Sequence, residues 1–499
     1  MTSSLHKRVG VAAASASLIV ALTLAAGGCG ATREVAPPIS PSDGPNIVVI
    51  TSDDQSLNSF NRETMPSTFR LLVDRGTTFS QGIAAPPLCC PSRAGFLTGQ
   101  YPHNHGVFNN TPGYSDLRDP EQTLPAWLGA HGYYTGFVGK YLNGTKPALG
   151  ATPAPGWDRW VALYGSHQYF DAPITVDGEV VENDGYMPAV FTERAGEFVR
   201  SAAGTQPFFL WLAQEPPHFR NGPSEVCPGY APKALPRDYR TFNDTPLPRP
   251  PSFNEPDMSD KPDKLVRKQP RLDRRTIRRL ERNYRCTLGS MQEVDRSVEE
   301  VWRALKDSGE AQETVFVYTS DNGLLHGEHR IDARKGRTYD EATRVPLVAV
   351  VPKGVLGERP VADVTEQVTN LDLTATLLEL ADVQPCTESD CRTVDGRSAV
   401  GLLKGGDSAW PTDRGVLLEQ GPSGCKFAAV RTLAYLFAVS LKRNDDGDCV
   451  ERDRELYDLR QDPYQLESIA DVSEVDEQLN ERLRTLRECS GTTGPDACE

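Results

Sequence analysis

Five short apolar runs, set far apart along the chain, constrain its fold more than any other feature. They are NIVVIT from Asn46, YYTGFVG from Tyr133, PFFLWLA from Pro207, TVFVYTS from Thr314 and VPLVAVV from Val345. Consecutive apolar positions, many of them β-branched or aromatic, suit strands that are buried on both faces. Helical patterns lie between them. MPSTFRLLVDRG starts at Met65, and a long amphipathic stretch, RRLERNYRCTLGSMQEVDRSVEEVWRALKDSG, starts at Arg278. This alternation predicts an α/β fold with a large, mainly parallel central sheet flanked by helices. Beyond about residue 405, the pieces GVLLEQ, KFAAVRT and LAYLFAVS and a final helical segment predict a smaller C-terminal α+β domain. Residues 220–275, rich in Pro, Asp and Arg, read as a long surface excursion.

The chain has 499 residues and a formal net charge of -15. That balance argues against a nucleic-acid partner, which would call for a basic face. Lys7 and Arg8 precede an apolar run that ends in small residues at Cys29, the pattern of an export signal with a lipoprotein-type cleavage box. Residues 1–29 are therefore read as a signal peptide with Cys29 as the lipobox cysteine, with an ordinary secretory signal or a retained membrane anchor as the alternatives, and residues 30–44 as a linker. The main domain is placed over 45–404 and the C-terminal subdomain over 405–499. The expected location is the cell envelope, as a lipoprotein, or the exterior as a secreted protein. Membrane contact is expected only through the N-terminal lipid. Eleven cysteines suit an oxidising compartment. Candidate pairs are Cys386 with Cys391, Cys489 with Cys498, Cys425 with Cys449, and Cys227 with Cys286, which would leave Cys90 free.

Two of the strand-like runs end in acidic residues. NIVVIT leads into Asp53-Asp54-Gln55, and TVFVYTS leads into Asp321-Asn322-Gly323. In an open α/β sheet, ligands bind beyond the carboxyl ends of the strands. If the two strands are neighbours, Asp53, Asp54, Asp321 and Asn322 meet at one rim. Such oxygen donors suit Ca²⁺ or, less well, Mg²⁺. Taken singly, either motif is as easily a turn or a helix cap. Between them in function stands LCCPSRAGFLTG from Leu88. A helix starting just after Pro91 would set the cysteines at its N-terminus, where free N–H groups attract anions, and Arg93 would add a cationic fork. A plain thiolate there would be acidic and nucleophilic. No C-x-x-C supports a redox pair.

Cys89-Cys90-Pro91-Ser92-Arg93 followed by Leu97-Thr98-Gly99 resembles the C-x-P-S-R…L-T-G signature of the type I sulfatases, within the alkaline-phosphatase-like superfamily. Further segments match in order: Asp53-Asp54-Gln55, Gly139-Lys140-Tyr141-Leu142-Asn143, Pro217-His218, Asp321-Asn322-Gly323, Lys335 to Tyr339 with Val345-Pro346, and Glu455 to Leu459 with Asp462-Pro463. The motifs look most like the glucosamine-6-sulfatase and endosulfatase branch. The resemblance implies that a formylglycine-generating enzyme oxidises Cys89 to Cα-formylglycine. It implies that one hydroxyl of the hydrated aldehyde attacks sulfur, and that the second expels sulfate as the aldehyde re-forms. It implies Ca²⁺ held by Asp53, Asp54, Asp321, Asn322 and residue 89. Arg93 would then stabilise the hydrate, Lys140 and Lys335 would neutralise the sulfate, and His218 would serve the leaving oxygen. The substrate would be a sulfate ester, on a small molecule or a sulfated glycan.

One position departs from the family. Leu142 stands where many members carry a histidine, which leaves His103, His105 and His326 as candidate bases. Two other functions compete with sulfate-ester hydrolysis. One is a phosphate or phosphonate ester hydrolase of the same superfamily, and the other is a non-catalytic, glycan-binding surface lipoprotein.

Overall fold

The computed structural model describes residues 44–165, 168–261, 269–385, 394–406, 409–470 and 474–489. The expected signal segment, nearly all of the expected linker, and Cys386, Cys391 and Cys498 lie outside them.

Among the described residues, twelve strands precede residue 400. They are β1 (Asn46–Ser52), β2 (Thr77–Ile83), β3 (Tyr134–Gly139), β4 (Arg159–Leu163), β5 (Ile174–Val176) and β6 (Glu179–Val181). β7 (Phe208–Ala213), β8 (Thr314–Ser320), β9 (Leu325–His326), β10 (Asp332–Arg334), β11 (Leu347–Val350) and β12 (Asp363–Thr369) follow. Ten of them form one sheet in the order β12-β2-β11-β8-β1-β7-β3-β4-β5-β6, and β9 pairs with β10 in a separate hairpin. The centre of the large sheet is parallel: β1 pairs with both β7 and β8, and β3 pairs with β7 and β4. β11 runs antiparallel between β8 and β2. All five expected strands are present, but the apolar pattern of VPLVAVV carries no sign of that reversed direction.

Side chains alternate across the sheet, and both faces are covered. Ile47, Val49, Phe209 and Trp211 pack on one side, with Leu97, Trp127 and Leu377. Val48, Ile50, Leu210 and Leu212 pack on the other, with Phe191 and Phe198 of the Met187–Ala202 helix and Met291, Val294 and Val298 of the Arg274–Asp307 helix. This two-sided burial explains why the strand runs are apolar at every position rather than at every second one.

The C-terminal layer is an antiparallel sheet of β13 (Val416–Gln420), β14 (Phe427–Arg431), β15 (Tyr435–Arg443) and β16 (Cys449–Asp458), backed by the Glu474–Glu488 helix. Within residues 220–261, the expected surface excursion is anchored on the long helix. Cys227 is disulfide-bonded to Cys286 of the long helix. Phe242 and Leu247 pack on Leu280, Tyr284 and Leu288 of the same helix. A few apolar anchors, masked by the Pro, Asp and Arg around them, dock this segment. Cys425 and Cys449 form a second bridge, Cys489 is also disulfide-bonded, and Cys89 and Cys90 are the free cysteines among the described residues.

Candidate active site

Four adjacent parallel strands, β8, β1, β7 and β3, deliver candidate residues from their carboxyl ends. The β1–β8 register sets Ser52 opposite Ser320, so Asp53-Asp54 and Asp321-Asn322 leave the sheet side by side. β7 leads to His218 through a turn in which the His218 N–H donates to the Glu215 carbonyl at 2.9 Å. β3 leads to Lys140. Gly139 has φ 120°, and a Cβ on it would lie 2.0 Å from the Ala213 carbonyl oxygen, so only glycine lets β3 approach β7 there. Lys335 arrives from the end of the β9–β10 hairpin.

The Cys89–Thr98 helix follows β2 and begins at Cys89 itself, earlier than the expected start just after Pro91. Pro91 falls in the first turn, where its missing N–H costs nothing. The Cys90 N–H donates to Asn110 Oδ1 at 2.9 Å. The Asn370 amide donates to the Ser92 carbonyl at 2.8 Å and ties the helix to its neighbour.

The side chains converge around Cys89. Its Sγ lies 3.2 Å from Asp53 Oδ1, 3.9 Å from Asp54 Oδ1, 2.5 Å from Lys335 Nζ and 3.8 Å from Lys140 Nζ. Ligand atoms of Asp53, Asp54, Cys89 and Asp321 all lie within 4.8 Å of one another. Lys140 pairs with Asp53, and Lys335 with Asp54. Arg93 donates from Nε to Asp321 Oδ2 at 2.7 Å, sits 3.6 Å from Asp53, and also bonds the Lys140 carbonyl. Asn322 Nδ2 donates to Asp54 Oδ1 at 2.7 Å. His218 Nε2 stands 3.7 Å from Asp54 Oδ2. Only Lys335 and His218 reach solvent appreciably, with side chains 14% and 12% exposed against 3% or less for Asp53, Asp54, Asp321, Arg93 and Lys140. These two mark the mouth.

Burial alone would raise the Asp53 carboxyl, but Lys140, then His218, Lys335 and Arg93, outweigh it and hold it well below the usual range. Burial pushes Asp54 up to about 6; Lys335 opposes the rise, and Asp53 and Asp321 add to it. Burial also raises Asp321. The Cys89 thiol contradicts the expectation of an acidic thiolate. Burial, then the Asp53 charge, pushes it well above the ordinary thiol range despite the two lysines.

The donor set fits a hard divalent cation. Three carboxylates crowd one another, and the buried Asn322 Oδ1 has no hydrogen-bond partner. Oxygen atoms so arranged are suited to a Ca²⁺ shell.

The three alternative histidines stand elsewhere. His103 bonds Glu419 at 2.7 Å and the Cys489 carbonyl at 2.9 Å, so it braces the C-terminal layer. His105 Nδ1 accepts from the Val107 N–H at 3.0 Å. His326 is buried beside the Phe219 and Tyr284 rings, and burial lowers it to about 4. No hydrogen bond or ion pair joins any of them to Asp53, Asp54, Cys89 or Asp321 among the described residues. Leu142 packs in the core. The sequence reading missed Glu215 and Arg220, a charged pair beside His218 that carries no motif signature.

Comparison with known proteins agrees with this geometry. The sulfatase family model matches residues 45–383, and a C-terminal model described as N-sulphoglucosamine sulphohydrolase matches residues 327–489. N-acetylglucosamine-6-sulfatase from Homo sapiens is 29% identical over 518 aligned positions, spanning 95% of this chain and 89% of that protein. Among solved structures, one in complex with its substrate D-glucosamine-2-N,6-O-disulfate superposes with a TM-score of 0.68 at 22% identity, covering 89% of this chain and 97% of the other. A phosphonate monoester hydrolase of Agrobacterium radiobacter superposes with a TM-score of 0.66 at 20% identity, covering 89% and 95%. At such identities these two likenesses speak to the fold alone. From the family match, the chain belongs to the sulfatase family, on the branch of the N-acetylglucosamine-6-sulfatases, and is a sulfuric ester hydrolase.

Proposed function

We propose that the chain hydrolyses sulfate monoesters of a sulfated carbohydrate, with Cys89 matured to formylglycine by a generating enzyme and with Ca²⁺ held by Asp53, Asp54, Asp321, Asn322 and residue 89. The observation that carries this reading is the convergence of those ligands with Lys140 and Lys335 on a buried thiol at a helix N-terminus. The raised thiol supports maturation, since an unmodified Cys89 would stay protonated near neutrality and attack poorly. When present, the cation and the aldehyde hydrate supply an acidified nucleophilic hydroxyl and a second hydroxyl for release of the product.

The chain's own side chains do the remainder. Arg93, fixed by Asp321, orients the hydroxyl on residue 89. Lys140 and Lys335 balance the charge on the sulfate oxygens. His218, at the mouth, donates to the leaving oxygen. The buried cations attract either sulfate or phosphate, and the phosphonate hydrolase fold likeness keeps the phosphorus ester as the rival. A phosphate monoester brings close to two charges, a sulfate one, and the N-acetylglucosamine-6-sulfatase relatives favour the sulfate. They also favour sugar 6-O-sulfates over 2-O-sulfates.

Aldehyde-bearing, Ca²⁺-loaded protein should show a higher kcat/KM on an aryl sulfate than on the matching aryl phosphate or phosphonate. The reverse order would move the function to the phosphorus ester. An aldehyde-reactive probe with peptide mapping should label position 89 and leave Cys90 unmodified. We further propose that the chain is exported by its N-terminal segment and held by lipid at Cys29. The two disulfides within the described residues support an oxidising compartment.

A further inference from the structure

We propose that Arg220 forms a second anion-binding subsite at the mouth of the site, so that the preferred substrate carries a second anionic group, sulfate or carboxylate, beside the ester that is cleaved. The inference rests on the sulfate-ester reading above. Arg220 lies two residues beyond His218, and its backbone forms a β-bridge with Ala231. The Arg220 charge is felt at both His218 and Asp53, which sets it beside the mouth. Phe219, between His218 and Arg220 in the chain, packs on Tyr230 and His326.

Glu215 fixes the guanidinium. Arg220 Nε donates to Glu215 Oε1 at 3.1 Å, and the Glu215 side chain is 1% exposed. Arg220 itself remains 29% exposed, and its two terminal nitrogens make no hydrogen bond among the described residues. One edge of the fork is thus spent on holding the side chain still, and the other faces solvent beside the mouth. A pre-ordered planar fork is suited to a second oxyanion. Burial opposes the charge on Arg220, but Glu215 outweighs it and Asp53 adds to the effect, so the guanidinium stays charged within reach of the site's field. The same charge acts on His218. Nothing in the sulfate pocket itself needs this cation, because Arg93, Lys140 and Lys335 already surround Cys89.

Three probes test the subsite: N-acetylglucosamine 6-sulfate, glucosamine 2-N,6-O-disulfate, and a 6-sulfated glucosamine joined to a uronic acid. Wild-type protein should favour at least one dianion over the monoanion, through KM. Arg220→Gln should lower that kcat/KM ratio about tenfold or more, and added salt should lower it in the wild type. Whether the lost preference concerns the disulfate or the uronate identifies the second group. Because Arg220→Gln strands a buried carboxylate, Glu215→Gln/Arg220→Gln is the companion variant. Equal ratios in the wild type and both variants, for both dianions, would overturn the subsite. If the wild type hydrolyses none of the three, the proposed reaction fails, and calorimetric binding of the same compounds to the same proteins still reads the subsite, with equal affinities overturning it.

Discussion

At the scale of single residues, the proposed reaction turns on how many oxygens position 89 can offer. A hydrated aldehyde has two hydroxyls, whereas a serine has one and would keep the sulfate as a stable ester. Cys89→Ser should therefore fold, bind substrate and turn over at most once, leaving a sulfate ester that mass spectrometry finds on residue 89. Steady turnover by that variant would remove the need for the aldehyde. Asn322 offers a separate test of the cation. Its buried Oδ1 has no protein partner, whereas its Nδ2 bonds Asp54 and the Gly323 carbonyl, so Asn322→Ala should weaken calcium binding, read by titration, and also cost some fold stability. Asp54 sets the pH dependence. Its carboxyl, pushed up to about 6, must lose a proton to become a ligand. Calcium affinity should rise with pH through about 6 and level above it; a flat profile across that range would mean that Asp54 is already ionised before calcium binds or is not a ligand. These carboxylates were legible in the sequence because each directly follows a strand run. Glu215 and Arg220 were not, since a charged pair five residues apart in a proline-rich turn looks like any solvated loop.

At the scale of elements, neighbouring strands had to be supplied by the structure. The sequence placed Asp53 and Asp321 at strand ends, and the β1–β8 register makes those ends adjacent. Local pattern carries no pairing information, so the juxtaposition remained a condition until the sheet order was known. The helix at Cys89 shows the opposite case, where local signals sufficed for existence but Pro91 drew the expected start too late, past both cysteines. Gly139 is where element packing meets chemistry. A methyl group there would collide with the Ala213 carbonyl, in a backbone conformation that disfavours side chains. Gly139→Ala should cost roughly 1–3 kcal/mol in denaturant unfolding. It should also lower kcat, because Lys140 is the next residue and would move with the strand. Wild-type stability and kcat together would show that β3 tolerates the displacement.

At the scale of the whole molecule, the C-terminal layer braces the segment that carries Lys335. The change of pattern near residue 405 was legible, and we propose it as the subdomain boundary. What could not be read is how far the smaller sheet reaches back over the larger one. Arg431 of β14 carries that connection. It bonds Asp340 at 2.9 Å through both Nε and Nη2, Gln367 of β12 at 2.7 Å and Gln81 of β2 at 3.3 Å. Asp340 lies five residues after Lys335, and the intervening Tyr339 hydroxyl donates to Glu455 of β16 at 2.9 Å. Lys426, just before β14, donates to the Gly336 carbonyl at 3.1 Å. The segment that carries Lys335 to the thiol is therefore clamped by the C-terminal sheet. Arg431 is nearly fully buried and Asp340 is 16% exposed, so removing one partner leaves a poorly solvated charge. Arg431→Met should destabilise the chain by about 3–5 kcal/mol, and it should lower kcat through Lys335 while calcium affinity at Asp53 and Asp321 changes little. Asp340→Asn in the same chain should recover part of the stability, since the stranded carboxylate is gone, giving a double variant less damaged than the sum of the single ones. Additive losses, or a full kcat in Arg431→Met, would mean that the C-terminal layer merely covers the large sheet and does not set the position of Lys335.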